Sequence, residues 1–208
     1  KNSELNSNLF SRWGSLLFCF VLSAAVMLTA AETPAAPSVV VPKSAKAPVI
    51  DGLLKDGEWK NAAAFSGFVE FETKQLDPRL VTAWLTWDDR FIYVALVSEL
   101  YPADLPLRTI QDKRDFFPKP DFQDDRVEIL LDPNFGKHSV EKGHFLIMVN
   151  SRGFVVYDQA WTEAEGYQSK WNTTAIFGNN VANGLWTMEC AIPLADLGVA
   201  KISDNDRW

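Results

Sequence analysis

The sequence predicts an all-β protein: an antiparallel β-sandwich, jelly-roll-like, with one or two short helices. Three observations carry this expectation. Apolar residues alternate with period two in segment after segment between Val81 and Ile192, the repeat of a strand with one face buried. Turn-forming clusters such as Asp88-Asp89-Arg90, Asp132-Pro133-Asn134 and Asn150-Ser151-Arg152-Gly153 punctuate those segments at short intervals. Aromatic residues reach 12% of the chain, with 14 Phe, 8 Trp and 4 Tyr, a supply that suits a packed β core or a stacking surface.

The 208 residues allow one domain of this size, and 47% hydrophobic against 23% charged residues is the balance of a folded chain. A net charge of -7 argues against a nucleic-acid binder, which needs a basic face. Two Cys exclude a disulfide framework, and two His leave little material for zinc chemistry or a histidine-based triad. No glycine-rich phosphate loop, Cys-x-x-Cys pair or nucleophile elbow occurs.

From the N-terminus, Lys1 and Arg12 precede an uncharged apolar run, Leu16 to Leu28, that is short for a membrane span and is followed by Thr29-Ala30-Ala31. This is the layout of a secretory signal peptide over residues 1–31, and it predicts a secreted, periplasmic or cell-surface protein that meets the membrane only through this leader. The alternative is an uncleaved anchor helix. Cys19 lies inside the apolar run without the small residues that precede a lipidated cysteine. Glu32 to Pro48 is rich in Ala, Pro, Ser and Val and reads as a linker. The folded domain is expected over 49–208. Because residue 1 is not Met and the chain stops just after a turn at 203–207, it is expected to be a fragment whose last strands are missing.

Within the domain, Leu53 to Ala62 predicts a tight turn and one short helix carrying Trp59 inward. Val81, Ala83, Leu85 and Trp87 alternate with Thr82, Trp84 and Thr86. Phe91 to Val97 is apolar on both sides, which predicts a central strand. Val127, Ile129 and Leu131 form the next strand, with Glu128 and Leu130 opposite. Phe145, Ile147 and Val149 lead through Asn150–Gly153 into Phe154–Tyr157, a hairpin by spacing and turn chemistry. Lys170 to Ile176 reads as a weak strand. Leu185 to Ile192 is a strong one, with Trp186, Met188, Cys190 and Ile192 on one face. Pro193 to Gly198 is one helical turn stopped by glycine.

These segments resemble the family 9 carbohydrate-binding modules, within a fold group that also holds the haem-binding DOMON domains. The residues concerned are Val49-Ile50-Asp51-Gly52 with Gly57-Glu58-Trp59; Trp87-Asp88-Asp89 with Phe91-Ile92-Tyr93-Val94-Ala95; Asp124-Asp125-Arg126-Val127-Glu128-Ile129 with Leu131-Asp132-Pro133; and Trp186 to Pro193 with Leu197-Gly198. The resemblance implies a jelly-roll-like sandwich without catalysis, often with bound calcium, whose sugar-binding members clamp a sugar ring between two Trp. Carried over, Glu128 matches a sugar-contacting Glu and Phe122 falls near the first clamp Trp. Leu146 stands where a sugar-binding Arg is expected, and the second clamp position lies past residue 208.

The sequence therefore predicts a non-catalytic module that binds a poly- or oligosaccharide through Phe122, Glu128 and Trp161. Trp161 would supply the opposing ring. Aromatic rings meet the C–H face of a sugar, and a carboxylate accepts from its hydroxyls. The wider aromatic set comprises Trp84, Phe116, Phe117, Tyr157, Tyr167 and Trp171, for which core packing is the competing role. For Glu128 and Glu189 the competing role is a structural pairing, because a strand carboxylate needs a partner. Asp121, Asp124 and Asp125 are candidate calcium ligands, although their spacing matches no EF-hand loop and a solvated acidic loop is the alternative. His144 and Met148 share a strand face and could ligate haem, but no haem is expected. Two other functions compete: an electron-transfer haem domain of this fold, and a structural or interaction sandwich that has lost its ligand. Asn172-Thr173-Thr174 is a glycosylation sequon.

Overall fold

The structure is a computed structural model that describes residues 38–70, 72–100, 125–133, 143–162, 166–168 and 171–208. The expected signal peptide, residues 1–31, and three of the proposed site residues, Asp121, Phe122 and Asp124, lie outside the described residues.

Among the described residues, nine strands form two antiparallel sheets. They are β1 (Ala63–Phe65), β2 (Val81–Trp87), β3 (Phe91–Glu99), β4 (Arg126–Leu131), β5 (His144–Asn150), β6 (Val155–Thr162), β7 (Gly166–Gln168), β8 (Ile176–Ala182) and β9 (Leu185–Pro193). One sheet has the order β1-β2-β3-β9-β8 and the other β4-β5-β6-β7. The fold class read from the sequence is the one observed. β3 is the middle strand of five, as its two-sided apolar pattern requires. Its Ile92, Val94 and Leu96 face the inter-sheet core, while Tyr93 and Ala95 join a second cluster with Trp59 and Ala191 on the opposite face. The core unites Trp87, Ile92, Leu96, Trp186, Met188, Cys190 and Ile192 of the larger sheet with Ile129, Ile147 and Val149 of the smaller, and Val127 and Leu131 pack against it. Burial of each large side chain stabilises the fold by roughly 1.5–3 kcal/mol, and this drives the two sheets together.

The second cluster is held by Glu189, which is fully buried on the face of β9 away from the core. Its Oε1 accepts from the Trp59 indole N–H, and its Oε2 accepts from the backbone N–H groups of Asp51 and Gly52. The expected structural role of Glu189 is thus the one found, with backbone and indole donors as its partners. Gly52 (φ +83°) lies flat against β8: a Cβ built on Gly178 would sit 2.4 Å from the Gly52 nitrogen. Val41 to Ser44, within the expected linker, is docked along β2. The Trp87 indole donates to the Val41 carbonyl and Thr86 Oγ1 to the Pro42 carbonyl, while the Ser44 N–H donates to the Trp87 carbonyl.

Two local expectations are corrected. The stretch Leu53 to Ala62 is a pair of turns rather than a helix, although Trp59 does point inward. Its bonds run from the Glu58 N–H to the Lys55 carbonyl and from the Ala62 N–H to the Trp59 carbonyl, and Gly57 at φ +87° interrupts any helical run between them. In the region read as the strand Lys170–Ile176, residues 171–175 carry no strand pairing, and the ladder starts at Ile176. Side chains take those backbone groups instead: Thr173 N–H donates to Asp158 and Thr174 N–H to Asp196. The turn after β9 is as expected, a 3-10 turn over Leu194–Leu197 closed by Gly198 at φ +64°.

Candidate functional site

The outer face of the four-stranded sheet gathers the polar and aromatic residues that the core does not use. Because Val127, Ile129, Leu131, Phe145, Ile147 and Val149 turn toward the core, the alternate positions of β4 and β5 point outward. These are Arg126, Glu128 and Leu130, and His144, Leu146 and Met148. The β4–β5–β6 registers arrange them in rows with residues of β6. Glu128 is beside Met148 and Met148 beside Tyr157; Leu130 is beside Leu146 and Leu146 beside Gln159; His144 is beside Trp161. Trp161 is in turn paired with Tyr167 of β7. Opposite the Met148–Val149 step the register shifts, so that Val156 is an extra residue in β6. Such a bulge re-aims the side chains that follow it, and here it brings Tyr157, Gln159 and Trp161 into the outward rows.

Glu128 is exposed, its side chain at 46%. Arg126 Nε and Nη2 both reach Oε1, at 2.8 and 2.7 Å. Among the described residues nothing bonds Oε2, which leaves one carboxylate oxygen on the outer face to accept from a hydroxyl. In the same row Tyr157 donates its hydroxyl to Gln159 Oε1. At the far end His144 and Trp161 are stacked, with ring centroids 5.1 Å apart and planes at 11°. Met148 is buried, at 1% exposure, and Leu130 is open at 64%.

Glu128 and Trp161 share this face as the sequence implied, but they do not converge on one pocket. Four strand residues separate their rows, about 13 Å at ~3.3 Å per residue, and two strand spacings of ~4.8 Å separate β4 from β6. A single sugar ring cannot bridge that interval. Of the other aromatic candidates, Trp171 is structural: its indole donates to the Asp196 carbonyl and its ring leans on Phe145. Trp84 packs on the Trp59 cluster. Asp125 is half-buried ahead of β4, and among the described residues no three His, Cys, Asp or Glu side chains converge as a metal site. Gln159 was not foreseen. The polar Asp158 and Gln159 hide the continuation of β6 past Tyr157, although Tyr157, Gln159 and Trp161 keep the period-two stripe.

Two antiparallel sheets packed over one core, with mixed aromatic and polar residues on the far side of the smaller sheet, define a β-sandwich domain. The family described as "Carbohydrate family 9 binding domain-like" matches residues 50–207, and the chain belongs to it. Two solved structures are similar, both of a family 9 carbohydrate binding module from Caldicellulosiruptor kristjanssonii. The complex with glucose is 20% identical, covers 74% of this chain and 69% of its own, and has a TM-score of 0.47. The complex with cellotriose is 21% identical, with 74% and 66% covered and a TM-score of 0.45. No curated protein matches.

Proposed function

We propose that this chain is a non-catalytic carbohydrate-binding module of a longer exported protein, and that it binds an oligo- or polysaccharide on the outer face of the four-stranded sheet. The observation that carries the reading is Glu128. It stands exposed mid-strand in a domain of a carbohydrate-binding family, one oxygen held by Arg126 and the other bonded by none of the described residues. Arg126 fixes the carboxylate so that Oε2 can take a sugar hydroxyl without first being ordered. Trp161 supplies apolar ring surface at the other end of the face, and Phe122 is the proposed partner ring at the Glu128 end. Hydroxyl hydrogen bonds largely replace bonds to water, so ring contacts are expected to carry much of the affinity.

The test is calorimetric titration with glucose and cellotriose. Saturable binding that weakens several-fold in Glu128→Gln, Phe122→Ala and Trp161→Ala supports the reading. Binding untouched by all three places the site elsewhere. A folded protein that binds no glycan supports the second reading, a structural sandwich without a ligand. Leu130 and Leu146 favour that alternative, because they make two of the three positions in the middle row of the face apolar.

A further inference from the structure

We propose that His144 is a positioning residue of the sugar-binding face, acting through Trp161. The proposal rests on the carbohydrate-binding reading of that face.

The two residues are a direct cross-strand pair of β5 and β6. Such pairs hold their Cβ atoms ~4.5–5.5 Å apart, close enough for two rings to lie against each other. Here they do: the centroids are 5.1 Å apart and the planes 11° from parallel. Both residues are half-buried, so the stacked pair stands at the surface rather than in the core. An indole on an outward strand position has several side-chain rotamers open to it. An imidazole lying flat against one face removes those that would swing the ring toward β5. The partly exposed indole therefore meets a ligand already oriented, and less ordering entropy is lost on binding. A second consequence concerns selectivity. The face of Trp161 turned to His144 is occupied, so a sugar ring cannot stack on that face. His144 thereby excludes one direction of approach as well as orienting the ring.

This role differs from general packing because it requires a flat ring at position 144. An aliphatic side chain of similar bulk fills the space but does not hold the indole plane. A phenyl ring does both.

The experiment titrates the whole chain with cellotriose and compares the unmodified protein with His144→Ala, His144→Leu and His144→Phe. Thermal melting and near-ultraviolet circular dichroism are measured on each. The expected result is a weakening of roughly three- to ten-fold in Ala and Leu, carried mainly by a less favourable binding entropy, with affinity retained in Phe. The near-ultraviolet aromatic signal should change in Ala and Leu and be closer to the original in Phe. If Ala does not fold, the Leu and Phe pair decides. Equal affinity in Leu and Phe overturns the proposal, since bulk alone would then suffice. Affinity unchanged in Ala overturns it too, while leaving the carbohydrate-binding reading intact. If the unmodified protein binds no sugar, both fall together.

Discussion

Trp59 and Glu189, 130 positions apart, meet through a single hydrogen bond of 2.9 Å from the indole N–H to Oε1. The same carboxylate takes the N–H groups of Asp51 and Gly52 at 3.0 and 2.8 Å, so one buried side chain fastens the whole opening segment of the domain to β9. Removing it strands two buried donors, the Gly52 N–H and the Trp59 indole N–H, and a part-buried one, the Asp51 N–H. At ~1–3 kcal/mol for each buried group left unsatisfied, Glu189→Ala is expected to lose roughly 3 kcal/mol or more. The denaturant midpoint in urea, read by tryptophan fluorescence, checks this. A loss under about 1 kcal/mol would mean that water replaces the carboxylate and that the segment is not held as described.

Gly178 is expected to tolerate no side chain. A Cβ there would lie 2.4 Å from the Gly52 nitrogen and 2.7 Å from the Asp51 carbonyl carbon, and backbone cannot move aside as a flexible side-chain tip can. Gly178→Ala must therefore push residues 51 and 52 off β8, which also stretches their bonds to Glu189. The expected outcome is a loss of about 2–3 kcal/mol, or failure to accumulate as folded protein. Gly57→Ala is the control, because nothing lies within 4 Å of its built Cβ and only its positive φ opposes the change.

The sandwich and most of its strands were legible because their signal is local. Ile129 and Met188 face the core for the same reason that their neighbours alternate. The outward rows were only half legible. Glu128 stands out as a lone carboxylate between apolar residues, but its separation from Trp161 depends on where β5 places His144 against β6. That register includes the bulge at Val156, which no period-two pattern announces. The absent helix at Leu53 to Ala62 has a similar cause. Trp59 is drawn inward by Glu189, a partner far along the chain, so inward pointing did not imply helical geometry. Phe122, Asp121 and Asp124 were chosen from the sequence and lie outside the described residues.

Acid should weaken the fold in a defined window. Burial opposes ionisation of Asp88, but bonds from the Tyr93 hydroxyl and from the N–H groups of Arg90 and Phe91 outweigh it and hold its carboxyl below the ordinary 3.8. The Arg79 guanidinium holds half-buried Asp77 down at about 2, and Lys55 lowers Asp51. A carboxylate with a depressed folded value stabilises the protein above its unfolded value, and that stability is lost as pH falls through the folded one. The melting temperature is therefore expected to be flat above pH ~5 and to fall between pH ~4 and ~2. Asp77 and Asp51 are paired with the exposed cations Arg79 and Lys55, which water screens, and contribute little to this. Asp88→Asn should lower the melting temperature at neutral pH and flatten the acid limb. An unchanged acid limb would remove Asp88 from the account.

Cys190 is expected to be inert in the folded protein. It is a free thiol at 0% exposure in the core, and burial pushes its ionisation well above the ordinary 9.0, so the nucleophilic thiolate is not formed at neutral pH. A disulfide-exchange reagent should leave it unlabelled for hours under native conditions and label it promptly in denaturant. Fast native labelling would show that β9 opens without global unfolding.

The pairing of β3 with β9 also sets a timetable for synthesis. Ile92 finds Ile192 as its neighbour, so the central strand of the larger sheet emerges from the ribosome about a hundred residues before the strand that covers its edge. At ~5–20 residues per second that interval is roughly 5–20 s. Throughout it a strand apolar on both faces has only the β2 side paired, and its other edge is a template for any extended chain nearby. The nascent protein is therefore expected to need a holding chaperone at this stage. Its yield should respond to translation speed and to a charge placed near the outer end of β3, at Val97 or Ser98, more than to any change on the outer face of the four-stranded sheet.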